Sequence, residues 1–210
     1  MYEAEKNILQ KCFTLDFLGM VAIQAGMANM NFAFSCNAAN MCITRRFYQE
    51  SYLTNTRFES GDDVFLLHQA KKLGKNNVHF NQDINNSVLT NSPENISSFI
   101  KQRIRWSSKT KGYSDNAAIL IAFTVFAMSF IIFSTACFTL YSSYFIQILV
   151  ILFIIKALAD LSFFVFILPK YHKQHLLWLV IPFEILYVFY ITIIPIFALF
   201  VPLSWKDRKI

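Results

Sequence analysis

Residues 117–141 carry no charged side chain over about 25 positions, and no other stretch restricts the possible folds so strongly. A run of that length spans the roughly 30 Å of a hydrocarbon core as one helix, because lipid offers the backbone no hydrogen-bonding partner. A second apolar run, about 144–168, is interrupted only by Lys156 and Asp160. These are four residues apart, so on a helix they can pair and spare each other an isolated charge in lipid. We read the pair as structural in preference to functional. Only Ser142-Ser143 separates the two runs, so they form a tight hairpin.

Charge divides the chain the same way. Residues 1–115 hold thirteen Lys/Arg and ten Asp/Glu, and residues 116–210 hold six and three. The first part reads as a soluble domain and the second as a membrane domain with three hydrophobic segments, about 117–141, 144–168 and 176–204. Lys170 and Lys173 mark a return to the positive, cytoplasmic side, which puts residues 1–115 in the cytoplasm as well. The last segment contains Pro182, Glu184, Pro195 and Pro202 and is followed by Lys206, Arg208 and Lys209. A single crossing would carry those basic residues outside, against the charge rule. A bent or re-entrant segment keeps them inside, and we favour it.

The net charge of +6 does not indicate nucleic acid, since no basic run is interleaved with aromatics for stacking. Cys12, Cys36, Cys42 and Cys137 form no CxxC pair and no Cys/His ligand spacing, as expected of reduced thiols. No residues are assigned to a metal. Residues 1–11 lack the basic and apolar regions of a signal peptide.

Within 1–115, periodicity predicts a helix over 1–31, then a short apolar strand at Phe32–Cys36 running into a small-residue turn. A helix follows from Asp62, ended by Lys71-Lys72-Leu73-Gly74. Two short strands are expected at Val78–Phe80 and Ser87–Thr90. Ser92-Pro93-Glu94 reads as the start of another helix. On that helix Gln102, Arg105 and Trp106 share a sector of about 100°, with Ile96, Ile100 and Ile104 mostly opposite as the face to be buried. An interfacial helix with Trp and Arg at headgroup level would carry the same pattern. Asp62 and Asp63 sit at a helix N-terminus, where the macrodipole favours carboxylates.

The ordered set Ser35-Cys36-Asn37-Ala38-Ala39-Asn40-Met41, Gly61-Asp62-Asp63-Val64, Gln102-x-x-Arg105-Trp106 and Trp205-Lys206-x-Arg208 resembles the later part of membrane-bound family 2 glycosyltransferases. The resemblance covers roughly residues 30–210. It implies an α/β fold class, an incomplete GT-A-like domain representing its C-terminal half, followed by a helical transmembrane region. It implies inverting transfer of a sugar from a nucleotide-sugar donor to a lipid or glycan acceptor at the cytoplasmic face of a bacterial inner membrane. By resemblance Asp63 is the catalytic base and Asp62, Gln102, Arg105, Trp106, Asn37 and Asn40 bind substrate. Trp106 would offer a flat wall to a sugar ring. A divalent cation, Mg or Mn, is expected as cofactor.

The departures are Asp62 where the family shows Glu, no FxVTxK segment after Trp106, and no Asp-x-Asp metal motif or nucleotide-binding βαβ units. The resemblance therefore implies a partial enzyme, inactive without a donor-binding half that a separate chain could carry. A non-enzymatic remnant or assembly subunit is the alternative. A small transporter using Lys156, Asp160 and Glu184 would leave the first hundred residues without a purpose.

Overall fold

A computed structural model describes residues 2–3, 5–52, 62–74, 78–108, 110, 113, 115–200, 204–205 and 208–209. The fold is helical: α1 (Ile8–Asn29), α2 (Arg45–Tyr52), α3 (Asp62–Leu73), α4 (Ile96–Ser108), α5 (Asn116–Phe138), α6 (Tyr144–Lys170) and α7 (Val180–Phe200). Side-chain caps set several of these starts. Asn7 Oδ1 accepts from Gln10 N at 2.9 Å, and Asp115 Oδ1 accepts from Ala118 N at 3.0 Å. Asn95 Oδ1 accepts from Ser98 N at 2.9 Å, so α4 starts slightly after Ser92-Pro93-Glu94. Gly74, at φ 150°, supplies the positive dihedral that closes α3.

The expected α/β half-domain is replaced by an all-helical fold. Among the described residues the only sheet is the two-residue pair Ser204–Trp205 with Arg208–Lys209. Phe32–Cys36 and Val78–Phe80 are irregular, and Ser87–Thr90 contributes one isolated bridge, Thr90 to Tyr2. A strand needs a neighbour for its backbone groups. Just outside those stretches side chains cap short turns: Asn81 Oδ1 accepts from Asp83 N at 3.0 Å, Asp83 Oδ1 from Asn85 N at 2.9 Å, and Asn37 Oδ1 from Ala39 N at 3.1 Å.

Among the described residues four helical runs are long and apolar enough to cross a membrane: α1, α5, α6 and Gln174–Phe200. The chain is a membrane protein with transmembrane helices. The last run opens as a 3-10 turn, Gln174–Leu179, and continues unbroken as α7 through Pro195. Among the described residues no re-entrant break falls between Gln174 and Phe200. Pro182 falls in the first turn, where no backbone donor is needed, and packed neighbours tolerate Pro195.

The two flanks of α1 fix its direction. Before it, Glu5 pairs with Lys173 at 2.6 Å, just past the end of α6. After it, the Ala33 carbonyl accepts from Lys71 Nζ at 2.7 Å, and Lys71 pairs with Asp115 at 2.5 Å, at the start of α5. In the α5–α6 hairpin those two points lie at the same end. So α1 runs across that end of the hairpin, although its length would allow a crossing. Its Cys12, Leu15 and Leu18 pack on Phe164, Leu168, Leu179 and Val180. Gly19 lets α1 approach closely, since a Cβ there would lie 3.1 Å from Phe164 Cζ. Phe13 stacks on Phe99 of α4 at 4.2 Å, and Tyr2 on Phe17 at 4.7 Å.

The buried face of α4 is therefore Phe99 and Arg103, not the isoleucines; Ile96 is 56% exposed. Aromatic stacking on α1 and a charge pair outweigh the aliphatic stripe.

Candidate functional site

A cavity of about 800 Å³ opens between the end of α1, the Cys36–Met41 loop, the start of α3, the Val78–Asn91 loop and α4. Asn37, Asn40, Asp63, Gln102, Arg105 and Trp106 all line it. These residues come from three segments up to 69 positions apart in sequence, and the fold brings them to one wall. The side chain of Asp62 lies outside the described residues, as do Ser60 and Gly61.

Asp63 is held in place by the loop before it. Its Oδ2 accepts from Ala38 N at 3.3 Å, its Oδ1 from Val64 N at 2.9 Å, and its carbonyl from Cys36 Sγ at 3.2 Å. One backbone N–H from the Cys36–Met41 loop and one from the first turn of α3 thus orient the carboxylate. Arg105 is near enough to interact with it. Burial holds the Arg105 guanidinium below its usual range, and the Asp63 charge offsets part of that. Tyr113 is pushed up to about 12 by burial, with further contributions from Asp63 and Cys36, so it is a neutral hydroxyl beside the carboxylate. The arrangement suits taking a proton at Asp63 with a cation close by to offset negative charge on a neighbouring group.

Asn40 Nδ2 donates to the Asn86 carbonyl at 2.8 Å, so this amide ties two cavity loops together. Gln102 Oε1 accepts from Arg103 Nη1 at 3.1 Å. Trp106 does not offer a free face on both sides. The Arg103 guanidinium lies 4.2 Å over its ring, and Phe17 packs at a tilt at 6.3 Å. Its remaining surface lines the cavity.

Arg103, the middle residue of the pentapeptide, is the one that sequence reasoning passed over. It is 7% exposed, sits 4.6 Å over Phe99, and pairs with Asp16 of α1. The other Asp16 oxygen accepts from the Tyr190 hydroxyl of α7. The signal was a lone acid, Asp16, in an apolar helix, which requires a partner. Lys156 pairs with Asp160 at 2.5 Å as its spacing predicts, and also with Glu184 of α7.

Among the described residues no group of three His, Cys, Asp or Glu side chains is placed to hold a metal ion. Comparison with family models, with curated proteins and with solved structures finds no match to this chain.

Proposed function

We propose that this chain is the acceptor and base half of a membrane-bound sugar transferase resembling the family 2 glycosyltransferases. In this reading it transfers a hexosyl group with inversion from a nucleotide-sugar to a lipid or glycan acceptor. The observation that supports it is the convergence of Asn37, Asn40, Asp63, Gln102, Arg105 and Trp106 on one cavity beside membrane helices. Asp63 would take the proton of the acceptor hydroxyl as its oxygen attacks the anomeric carbon. Arg105 would offset the charge growing on the departing nucleoside diphosphate. A donor-binding half, on this polypeptide beyond these 210 residues or on a partner chain, would hold the nucleotide and any divalent cation that accompanies it. Lys170 and Lys173 favour a cytoplasmic placement of the cavity, in a bacterial inner membrane.

The test is transfer by the chain reconstituted with its donor-binding half. Asp63→Asn is expected to lower the rate by about 100-fold or more while nucleotide binding persists. Full activity in that variant would overturn the assignment of the base. The competing reading, an assembly subunit without catalysis, predicts that Asp63→Asn changes nothing while a cavity-filling change such as Asn37→Trp disrupts complex formation.

A further inference from the structure

A second cavity, of about 380 Å³, shares Cys36, Asn37, Asp63 and Trp106 with the first. From Asp63 it turns between α5 and α7, where Ile121, Ala122 and Val125 face Ile191 and Ile194. Its volume is in the range of small-molecule sites. Both helices are apolar enough to cross a membrane.

We propose, on the transferase reading above, that this cavity holds the acceptor and that the acceptor is an uncharged lipid bearing a hydroxyl, not a lipid phosphate. The shape argues for a lipid, with a polar end at Asp63 and Asn37 and an apolar stretch between Ile121–Val125 and Ile191–Ile194. The charge argues for an uncharged head. The described charged residues of the lining are four carboxylates, Asp16, Asp63, Asp160 and Glu184, against one guanidinium, Arg103. Arg103 is already paired with Asp16. Lys156, behind the wall, is shared between Asp160 and Glu184. With Lys156 counted, and Arg105 beside Asp63, the group carries one net negative charge when all seven are ionised. A phosphate entering here would meet like charge in a water-poor setting, where repulsion is strongest.

A hydroxyl needs only an acceptor for its proton, and Asp63 provides one. Its oxygen bonds to the anomeric carbon of the nucleotide sugar and its proton passes to the Asp63 carboxylate. The bond from that carbon to the diphosphate breaks, and the nucleoside diphosphate leaves with the electron pair.

The experiment places the purified chain in phosphatidylcholine nanodiscs with photoactivatable diacylglycerol or phosphatidic acid of identical acyl chains. No nucleotide sugar is present. Diacylglycerol is expected to crosslink about tenfold more than phosphatidic acid, at residues 121–126 and 191–195. Ala122→Trp, which fills the apolar part, is expected to remove most of that signal; Val125→Phe repeats the test with a smaller change. Equal or preferred labelling by phosphatidic acid overturns the proposal. So does labelling that both variants leave intact, or labelling spread over outward residues such as Phe123 and Phe197, which are 66% and 56% exposed. Retained diacylglycerol binding without sugar transfer in the reconstituted pair would sink the transferase reading and leave the lipid site standing.

Discussion

Arg103 carries its charge into the interior of the protein, and Asp16, Trp106 and Phe99 together make that burial stable. Removing one partner of such a pair leaves an uncompensated charge, which typically costs about 3–5 kcal/mol. Arg103→Met is therefore expected to lower the thermal midpoint of the detergent-solubilised protein markedly, and adding Asp16→Asn to recover most of the loss. Arg105→Ala should barely move that midpoint, because Arg105 faces the cavity; its effect belongs in the transfer rate. His68 is a second buried titratable group, with Phe65 and Tyr113 around it. Burial depresses its pKa below 6.5, with Lys71 and Lys72 adding to the effect and Asp115 opposing it. The unfolded chain then binds a proton that the folded chain resists, so stability is lost as pH falls below about 6.5. Unfolding midpoints at pH 7.5 and 5.5 should differ more in the wild type than in His68→Phe; an equal drop in both would refute this. At this scale the motif spacing singled out Asn37, Asn40, Asp63, Gln102, Arg105 and Trp106, and the fold brings these six to one cavity. Arg103 could not be read this way: its role depends on Asp16, 87 positions away.

Helix α1 shows what is lost when an element is judged from composition alone. It is long and apolar enough to span a bilayer, yet Glu5 and Ala33 tie its two flanks to the same end of the α5–α6 hairpin. Single cysteines at Lys6 and Met30, in a background with Cys12→Ala, Cys36→Ser, Cys42→Ser and Cys137→Ser, should react with an impermeant maleimide from the same side of sealed vesicles. Labelling of the two from opposite sides would show a crossing helix. The close contact at Gly19 gives a second expectation. Gly19→Leu should destabilise by about 1–3 kcal/mol, because a branched side chain would be forced against Phe164. The span-length helices α5 and α6 were legible because lipid imposes a composition on them. The short strands expected at 32–36, 78–80 and 87–90 were misread. A run of three to five residues is decided by what pairs with it, and the pairing found among the described residues is the isolated bridge of Thr90 to Tyr2.

Across the whole molecule, the membrane helices are joined by charge as well as by packing. Lys156 of α6 pairs with Asp160 one turn on and with Glu184 of α7, and it lies 4.6 Å over the Tyr187 ring. The first of these partners follows from spacing; the second needed the antiparallel return of the chain, which no local pattern encodes. Three ionisable groups sharing one site make each dependent on the others. Lys156→Met would leave Asp160 and Glu184 facing each other without a cation, and the expected loss is about 3–5 kcal/mol. The triple change Lys156→Met, Asp160→Asn, Glu184→Gln removes all three charges at once and should restore much of that stability, since neutral groups of similar volume replace a buried ionic cluster. The measurement is the unfolding midpoint of all variants in one detergent. A transporter that carried ions through this cluster would lose its function in the triple variant whatever its stability. A structural tie between α6 and α7 predicts that the triple variant, once folded, still binds diacylglycerol in the cavity that Asp160 and Glu184 line, while its discrimination against phosphatidic acid weakens.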